Sequence, residues 1–226
     1  IGKISPDMAS ELGLPENIVI VSGAHDQCGN AVGCGVIESG NAVFGMGTFL
    51  CITPVFTQRT ATDRMAANGL NTEHHAVPGS YVSFLYNQGG ALVKWFRDTF
   101  AHEEFRMAQA QGKNIYDRLF GELPEEPSSL FIVPQFTNTG PPDFLSDSSG
   151  MITGLRLDTS RGEILKAILE GVNFYLMALV ESLPGTGIAI AEYRAVGGGS
   201  QSDEWVQLSA DMFGKPFVRP MVTEAG

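Results

Sequence analysis

The chain has 226 residues, and its 14 Lys and Arg stand against 25 Asp and Glu, which gives a formal net charge of −11 at pH 7. A nucleic-acid partner is disfavoured, because affinity for a phosphate backbone needs a positive surface and no cluster of basic residues stands out. The length is enough for one large domain or two small ones with a sizeable core.

Cysteine usage and hydropathy narrow the class of protein further. Cys28, Cys34 and Cys51 are odd in number and lack CxxC spacing. This favours buried free thiols in a reducing cytoplasm over disulfides or a zinc site. The most apolar long stretch, residues 164–180, is interrupted by charged residues, so no membrane span is predicted. We therefore expect a cytoplasmic protein.

The two ends of the chain suggest a piece of a longer protein. It begins with Ile1 rather than Met, and residues 223–226 stop without completing a helix or strand. We expect apolar sheet surface left uncovered at such an end to favour a homodimer.

Strands and helices alternate along the chain. The clearest helix covers residues 160–183, where Ser160 and Glu163 form a capping box ahead of an apolar stripe from Ile164 to Leu179. Before that helix, the predicted elements are a helix at 6–12, a strand at 18–22, a helix at 26–34, a hairpin at 41–56, a polar irregular segment at 57–79, a strand at 81–86, a helix at 91–111 and a strand at 130–133. After it, the predicted elements are a strand at 194–196, a helix at 203–213 and a strand at 217–219. This order predicts an α/β domain with a mixed sheet flanked by helices.

Three glycine-rich stretches follow short apolar runs, at residues 18–35, 41–48 and 193–211. The runs at 18–21 and 194–196 are typical of buried strands, and the glycines after them allow sharp turns and a close approach to a ligand. Backbone N–H groups in such loops bind anions, above all phosphates. Three of these loops in one chain indicate a nucleotide site.

The standard nucleotide motifs are absent from the sequence. There is no GxxxxGK[ST], which disfavours a P-loop protein. Gly45 and Gly47 supply the first pair of GxGxxG, but Leu50 stands in the third place, which disfavours a Rossmann dehydrogenase. No GxSxG elbow of a hydrolase occurs.

Asp26 is the leading candidate for chemistry. It follows the predicted strand at 18–22 and opens a helix, so we expect it at the carboxyl edge of the sheet, where α/β folds bind ligands. A carboxylate there can accept the proton of an attacking hydroxyl. The alternative is a helix N-cap, since Asp is favoured at that junction. Thr48 has a similar alternative, as a strand hydroxyl that faces solvent or bonds its neighbour. His25 is interpreted as a packing residue or as one that supports a neighbouring side chain, rather than as a ligand.

Four segments together resemble a known family. They read GAHDQCGNAVGCG, GMGT, GGALVKWFRD and GGGSQSDEWVQLSAD, and they are similar to the second half of the FGGY carbohydrate kinases. The C-terminal signature of that family is nearly intact in residues 150–170. The resemblance covers essentially the whole chain. It implies an actin-like, ribonuclease-H-like fold, with residues 1–16 leading out of a first domain and residues 17–226 forming the C-terminal domain, truncated at its end.

The resemblance also implies the roles of individual residues. ATP would lie largely on this domain and the sugar largely on the other, with Mg²⁺ held through the nucleotide phosphates and no metal ligand from the chain. Asp26 matches the catalytic base of the family and Gln27 its substrate-contacting neighbour. The positions implied to bind ATP are Gly47, Thr48, Gly90, Lys94, Gly198, Gly199 and Ser202, with glycine at 198 and 199 leaving space for a flat base or ribose.

The sequence departs from the family in two places. Residues 133–144 lack the charged or aromatic run of many members, and Ser202 stands where some members have Asn. The function implied is ATP-dependent phosphorylation of a sugar or polyol hydroxyl, although this fragment by itself is expected to be inactive. The alternative is a non-catalytic actin-like ATP-binding module, and a dehydrogenase comes third. Xylulose, ribulose, glycerol and other polyols all stay open as acceptors.

Overall fold

The computed structural model describes residues 2–59 and 63–221. Residues 222–226, on which the expectation of a truncated end depends, lie outside the described residues. The helices are α1 (Pro6–Leu12), α2 (Asp26–Gly33), α3 (Asp63–Ala67), α4 (Gly90–Phe100), α5 (His102–Ala110), α6 (Ile115–Phe120), α7 (Arg161–Glu181) and α8 (Asp203–Phe213). Two 3₁₀ turns cover Leu183–Thr186 and Gly198–Gln201. The strands are β1 (Gly2–Lys3), β2 (Val19–Ile20), β3 (Asn41–Met46), β4 (Phe49–Phe56), β5 (Glu73–His74), β6 (Tyr81–Val82), β7 (Leu85–Gln88), β8 (Phe131–Val133), β9 (Met151–Thr153), β10 (Glu192–Val196) and β11 (Phe217–Val218).

Within the described residues, the main sheet has seven strands in the order β11-β10-β3-β4-β6-β5, with β7 also paired to β4. Strand β10 runs parallel to both β3 and β11, whereas the pairs within β3, β4, β5, β6 and β7 are antiparallel. The predicted mixed sheet and the predicted 41–56 hairpin are therefore confirmed. The strand predicted at 81–86 is two short strands, both of which pair with β4.

The two faces of the sheet carry different cores, because successive side chains of a strand point to opposite faces. Ala42, Phe44 and Met46 of β3 belong to the large core, which also contains buried residues of α4, α7 and α8. Val43 belongs to a smaller core that includes buried residues of α2. The sheet is therefore covered by helices on both faces, and among the described helices α2 contributes the buried residues of the smaller core.

Helix α7 is the central helix of the large core. The predicted capping box is present: Glu163 N donates to Ser160 Oγ at 3.2 Å, and Ser160 N donates to Glu163 Oε2 at 2.8 Å. The charged groups that interrupt its apolar run are buried but bonded. Lys166 donates to two backbone carbonyls, and Glu170 accepts from Ser128 N. In the described part of the chain, no helix is long and apolar enough to cross a membrane.

The prediction of a buried strand at residues 18–21 is wrong. Only Val19 and Ile20 are in a strand, β2, whose partner is the two-residue β1. Neither strand belongs to the main sheet, so Val19 is 62% exposed and Val21 is 75% exposed. The pairing of β1 with β2 joins Gly2 and Lys3 to residues just beyond 1–16, the segment predicted to lead out of a first domain. An apolar run predicts burial only where another layer covers it, and no described layer covers this one.

The helix predicted at 91–111 is two helices. Ala101 separates α4 from α5, with φ at −141°, a value outside the helical range. Several short elements are absent from the predicted order. They are α3, β5, α6 and β9, each of six residues or fewer. By contrast, the predicted boundaries of α1 and α8 are confirmed. Each helix ends before a glycine in the left-handed conformation, Gly13 or Gly214, which stops the helix there.

Candidate active site

A cleft of about 940 Å³ opens beside the end of the β3–β4 hairpin. Its walls come from the hairpin turn, the first two turns of α4, helix α6, the Gly198–Gln201 turn and the start of α8. Every residue that the sequence analysis assigned to ATP binding lines it: Gly47, Thr48, Gly90, Lys94, Gly198, Gly199 and Ser202. The fold thus brings together residues from three separate segments of the chain.

The hairpin turn and helix α4 are hydrogen-bonded to each other. Gly90 N donates to Gly47 O at 3.1 Å, and Ala91 N donates to Thr48 O at 3.0 Å. The first N–H groups of α4, which have no partner within a helix, are satisfied in this way. The N-terminus of α4 therefore does not offer these donors to an anion.

Other backbone donors in the cleft are available. In residues 2–59 and 63–221, the N–H groups of Thr48, Gly198 and Gly199 donate to no protein acceptor, whereas the register of the hairpin directs the Gly47 N–H to the Phe49 carbonyl. Backbone N–H groups that have no acceptor in the protein and line a concave site are suited to binding the oxygens of a phosphate group. The glycine turns thus supply donors, as their sequences predict, although α4 does not.

The two glycines of the Gly198–Gln201 turn have different surroundings. A Cβ atom built on Gly198 would meet no heavy atom within 4 Å, so the backbone there borders open space. A Cβ on Gly199 would lie 2.7 Å from the Trp205 ring and 3.0 Å from Met46 Cβ. Gly199 is therefore required by packing, whereas Gly198 leaves room in the cleft.

Ser202 and Lys94, two polar residues of the cleft, differ in whether the protein already bonds their side chains. The hydroxyl of Ser202 accepts from Trp205 N at 3.1 Å as the N-cap of α8 and donates to Glu204 Oε2 at 2.8 Å. Lys94 is exposed and, within the described residues, forms no ion pair. Lys94 is thus available to a negatively charged ligand, while Ser202 has a structural role as well.

Helix α6 contributes residues that the sequence analysis missed. Asn114, Tyr116, Asp117 and Phe120 line the cleft, together with Trp205 of α8. A signal was present, since Asn114 is a favoured capping residue placed before the apolar Ile115. In the structure Asn114 Oδ1 accepts from Tyr116 N at 3.1 Å, which makes it the N-cap of α6.

Asp26 and Gln27 do not line this cleft. Asp26 is the first residue of α2, and the N-cap is His25, so the alternative of Asp26 as a cap is wrong. The Asp26 carboxylate accepts from Gln27 N at 2.7 Å and lies 3.1 Å from His25 Nδ1. The predicted reason for a place at the carboxyl edge of the sheet is wrong, because the preceding β2 is outside the main sheet.

Asp26 nevertheless lies near the hairpin that forms the cleft. Cys51 of β4 pairs with Gly45 of β3, two residues before Gly47. Burial raises the pKa of the Cys51 thiol to about 11, and the negative charge of Asp26 adds to the rise. The carboxylate is thus within electrostatic range of the hairpin.

All three cysteines are free, with Cys28 and Cys34 buried and Cys51 half-buried.

Comparisons with known proteins give a consistent result. The sequence model for the FGGY family of carbohydrate kinases, C-terminal domain, matches residues 40–226. A gluconokinase from Bacillus licheniformis is 29% identical over 225 residues, covering 96% of this chain and 42% of the relative. A glycerol kinase from Polaromonas naphthalenivorans is 30% identical over 234 residues, covering 99% of this chain and 44% of the relative.

A solved structure shares the fold. The xylulose kinase from Rhodospirillum rubrum superposes with a TM-score of 0.79 at 26% identity, over 99% of this chain and 44% of the other. The chain therefore spans less than half the length of the relatives that it matches.

Proposed function

Because the chain belongs to the FGGY family of carbohydrate kinases, we propose that it forms the nucleotide-binding half of an ATP-dependent kinase acting on a sugar or polyol. The family membership confirms the predicted resemblance, and the structural neighbours confirm the predicted actin-like α/β fold. The chain covers 42–44% of the length of the relatives described above. A second domain of such a kinase would supply the opposite side of the site.

The observation that carries the proposal is the convergence of seven residues on one cleft. They come from sequence segments up to 155 positions apart, and all of them line the same 940 Å³ space. Ligand pockets are commonly about 300–1,000 Å³, so the cleft has the size that a nucleotide needs. The available N–H group of Thr48 and the free ammonium of Lys94 suit phosphate oxygens.

We assign the phosphates to the hairpin side of the cleft and Asp26 to the acceptor. The carboxylate of Asp26 is 79% exposed, so an acceptor hydroxyl can reach it from solvent. As general base it would take the proton of that hydroxyl while the hydroxyl oxygen bonds to the γ-phosphorus of ATP and ADP leaves. Gln27, the next residue of α2, would contact the same acceptor.

Mg²⁺ fits this arrangement as a partner of the phosphates. It keeps several waters and binds through one or two carboxylates and substrate phosphates rather than through a protein cage. When bound, it would neutralise charge on the transferring phosphoryl group. The exposed carboxylate of Asp26 is an acid within electrostatic range of the hairpin. We assign it to proton transfer rather than to the metal.

The test is acceptor-dependent ADP formation by the natural full-length protein. ATP is supplied with a panel of pentoses, ketoses, polyols and sugar acids, since the relatives include gluconate, glycerol and xylulose kinases. We expect one acceptor class to raise ADP formation far above the rate without acceptor. Nucleotide binding with no acceptor-dependent turnover would favour the alternative, a non-catalytic ATP-binding module. Absence of nucleotide binding would overturn both.

A further inference from the structure

The aromatic residues lining the cleft differ in accessibility. Phe120 and Trp205 are buried, at 6% and 3% exposure, with ring centroids 6.0 Å apart. Tyr116 continues this row, 6.2 Å from Phe120, and is half-buried. Among the described residues that line the cleft, Tyr116 therefore has the one aromatic ring with substantial exposed surface.

Arg97 of α4 holds the Tyr116 ring in place. Its guanidinium donates to Tyr116 Oη at 3.0 Å and lies 5.7 Å from the centre of that ring. Arg97 is itself fixed, since it lies 3.8 Å over the Phe105 ring and pairs with Asp98 at 2.6 Å. A flat surface that is ordered before a ligand arrives costs little entropy on binding.

Helix α4 sets the distance between the two ends of the cleft. Gly90, at the hairpin, and Arg97, at Tyr116, are seven residues apart, which is about 10 Å along a helix. Lys94 lies between them. Phosphates at the hairpin end would thus leave the rest of a nucleotide extending towards α6.

The charges of the cleft favour the same direction. Lys94 is on α4, whereas Asp117, Asp203 and Glu204 line the walls formed by α6 and α8. Carboxylates disfavour phosphate at their end and can accept hydrogen bonds from hydroxyl or amino groups. A neutral, donor-bearing group such as a nucleoside suits the α6 end.

We propose that Tyr116 is a specificity residue of the nucleotide site, with its ring forming the surface on which the nucleobase stacks. This inference rests on the proposed function, because it requires a nucleotide in the cleft. Stacking on an aromatic ring responds to the size of the base and not to the phosphates. The ring should therefore favour nucleotides over phosphate compounds that lack a base.

The experiment measures, by calorimetry, the affinity of the natural full-length protein for ADP, UDP and pyrophosphate. Three variants are compared, Tyr116→Ala, Tyr116→Phe and Lys94→Met. For Tyr116→Ala we expect the Kd for ADP to rise about 5- to 100-fold, the range found when a stacking aromatic residue is removed. Its Kd for pyrophosphate should stay within about twofold. Tyr116→Phe keeps the ring and should bind ADP within about threefold of the unchanged protein, since one hydrogen bond is lost.

The outcomes separate this inference from the proposed function. Lys94→Met should weaken ADP and pyrophosphate alike. Suppose that Lys94→Met does so, and that Tyr116→Ala leaves the affinities for ADP and pyrophosphate unchanged or lowers both equally. The cleft then binds nucleotides, but the base does not stack on Tyr116. If Tyr116→Ala unfolds, Tyr116→Leu is used in its place, because leucine keeps apolar volume but has no ring, and the same selective loss of ADP affinity is expected. If the unchanged protein does not bind ADP, the proposed function itself has failed.

Discussion

Gly90 lies directly against the backbone of Gly47. Its N–H donates to the Gly47 carbonyl at 3.1 Å, and a Cβ on Gly90 would overlap that oxygen and come 3.1 Å from the carbonyl carbon. Helix α4 therefore begins in contact with the hairpin turn. Glycine at position 90 is explained by this packing, whether or not a ligand also contacts it.

We expect Gly90→Ala to separate α4 from the hairpin. Inserting a methyl group into a close-packed contact typically costs about 1–3 kcal/mol, so the free energy of unfolding should fall by that amount. Gly198→Ala is the matched control, since its Cβ meets nothing within 4 Å and stability should change by less than about 0.5 kcal/mol. Denaturant unfolding of both variants measures the difference. Equal stabilities would show that the contact is adjustable.

Gly198→Val should raise the nucleotide KM without unfolding the protein. The side chain enters the open space of the cleft, where we place the adenosine, and its Cβ meets no heavy atom within 4 Å. Steady-state kinetics at varied ATP, with circular dichroism as a check on folding, tests this. A folded variant with an unchanged KM would show that the nucleotide does not contact this turn.

Asp26→Asn should remove most kinase turnover of the natural full-length protein. General-base catalysis contributes about 10²–10⁴-fold, so kcat should fall by a comparable factor while ADP affinity changes little. The exposed side chain predicts little effect on stability. Asp7→Asn, at the start of the exposed helix α1, is the control and should retain full activity. A variant at Asp26 that keeps half of its turnover contradicts the role as base.

Arg161→Gln should destabilise the protein at neutral pH. Arg161 binds Glu122 through two nitrogens, each at 2.6 Å, and Glu104 at 2.7 Å, which ties the start of α7 to α5 and to the turn after α6. Hydrogen bonds to charged groups contribute about 1.5–3 kcal/mol, and partial exposure reduces this, so we expect a loss of about 1–2 kcal/mol. Arg106→Gln, whose pair with Glu103 is well exposed, should cost less than about 0.5 kcal/mol.

The hydrogen bonds of Arg161 to Glu122 and Glu104 also predict that the free energy of unfolding depends on pH. Hydrogen bonds from Arg161 lower the pKa of Glu122 and of Glu104 below the ordinary value. A carboxyl group with a lowered folded-state pKa contributes stability above its unfolded pKa of about 4.3 and loses it as the pH falls through the folded value. The stability difference between the protein and Arg161→Gln should thus be full at pH 7 and shrink below about pH 4. A difference that is constant with pH would exclude the ionic contribution.

The 226-residue chain, expressed by itself, should fold and bind ADP weakly but transfer no phosphoryl group to sugars. It carries the cleft and Asp26, but it spans less than half the length of its relatives. Misplacing an acceptor by 1 Å can cost about 10²-fold in rate, and nothing on the other side of the site would hold it. Calorimetry and an ADP-release assay test the two statements. Sugar-dependent turnover near that of the full-length protein would contradict the division between two domains.

Local sequence rules determined the elements whose ends depend on neighbouring residues. The capping box of Ser160 and Glu163 predicted the start of α7, and Gly214 marks the end of α8 where the sequence predicted it. The alternation within residues 41–56 predicted the hairpin for the same reason, since cross-strand pairs there are close in sequence. The residues assigned to the nucleotide came from the family resemblance, and they converge in space.

The tertiary structure decided what depends on contacts far apart in sequence. The apolar run at 18–21 is exposed because β2 pairs with β1 and not with the main sheet. Tyr116 joins the cleft because Arg97 on another helix holds it there. Gly198 and Gly199 are adjacent and chemically identical, yet Trp205 closes the space beside one of them. Composition and periodicity describe a residue and its neighbours in the chain, whereas burial, accessibility and free volume depend on which other segment packs against it.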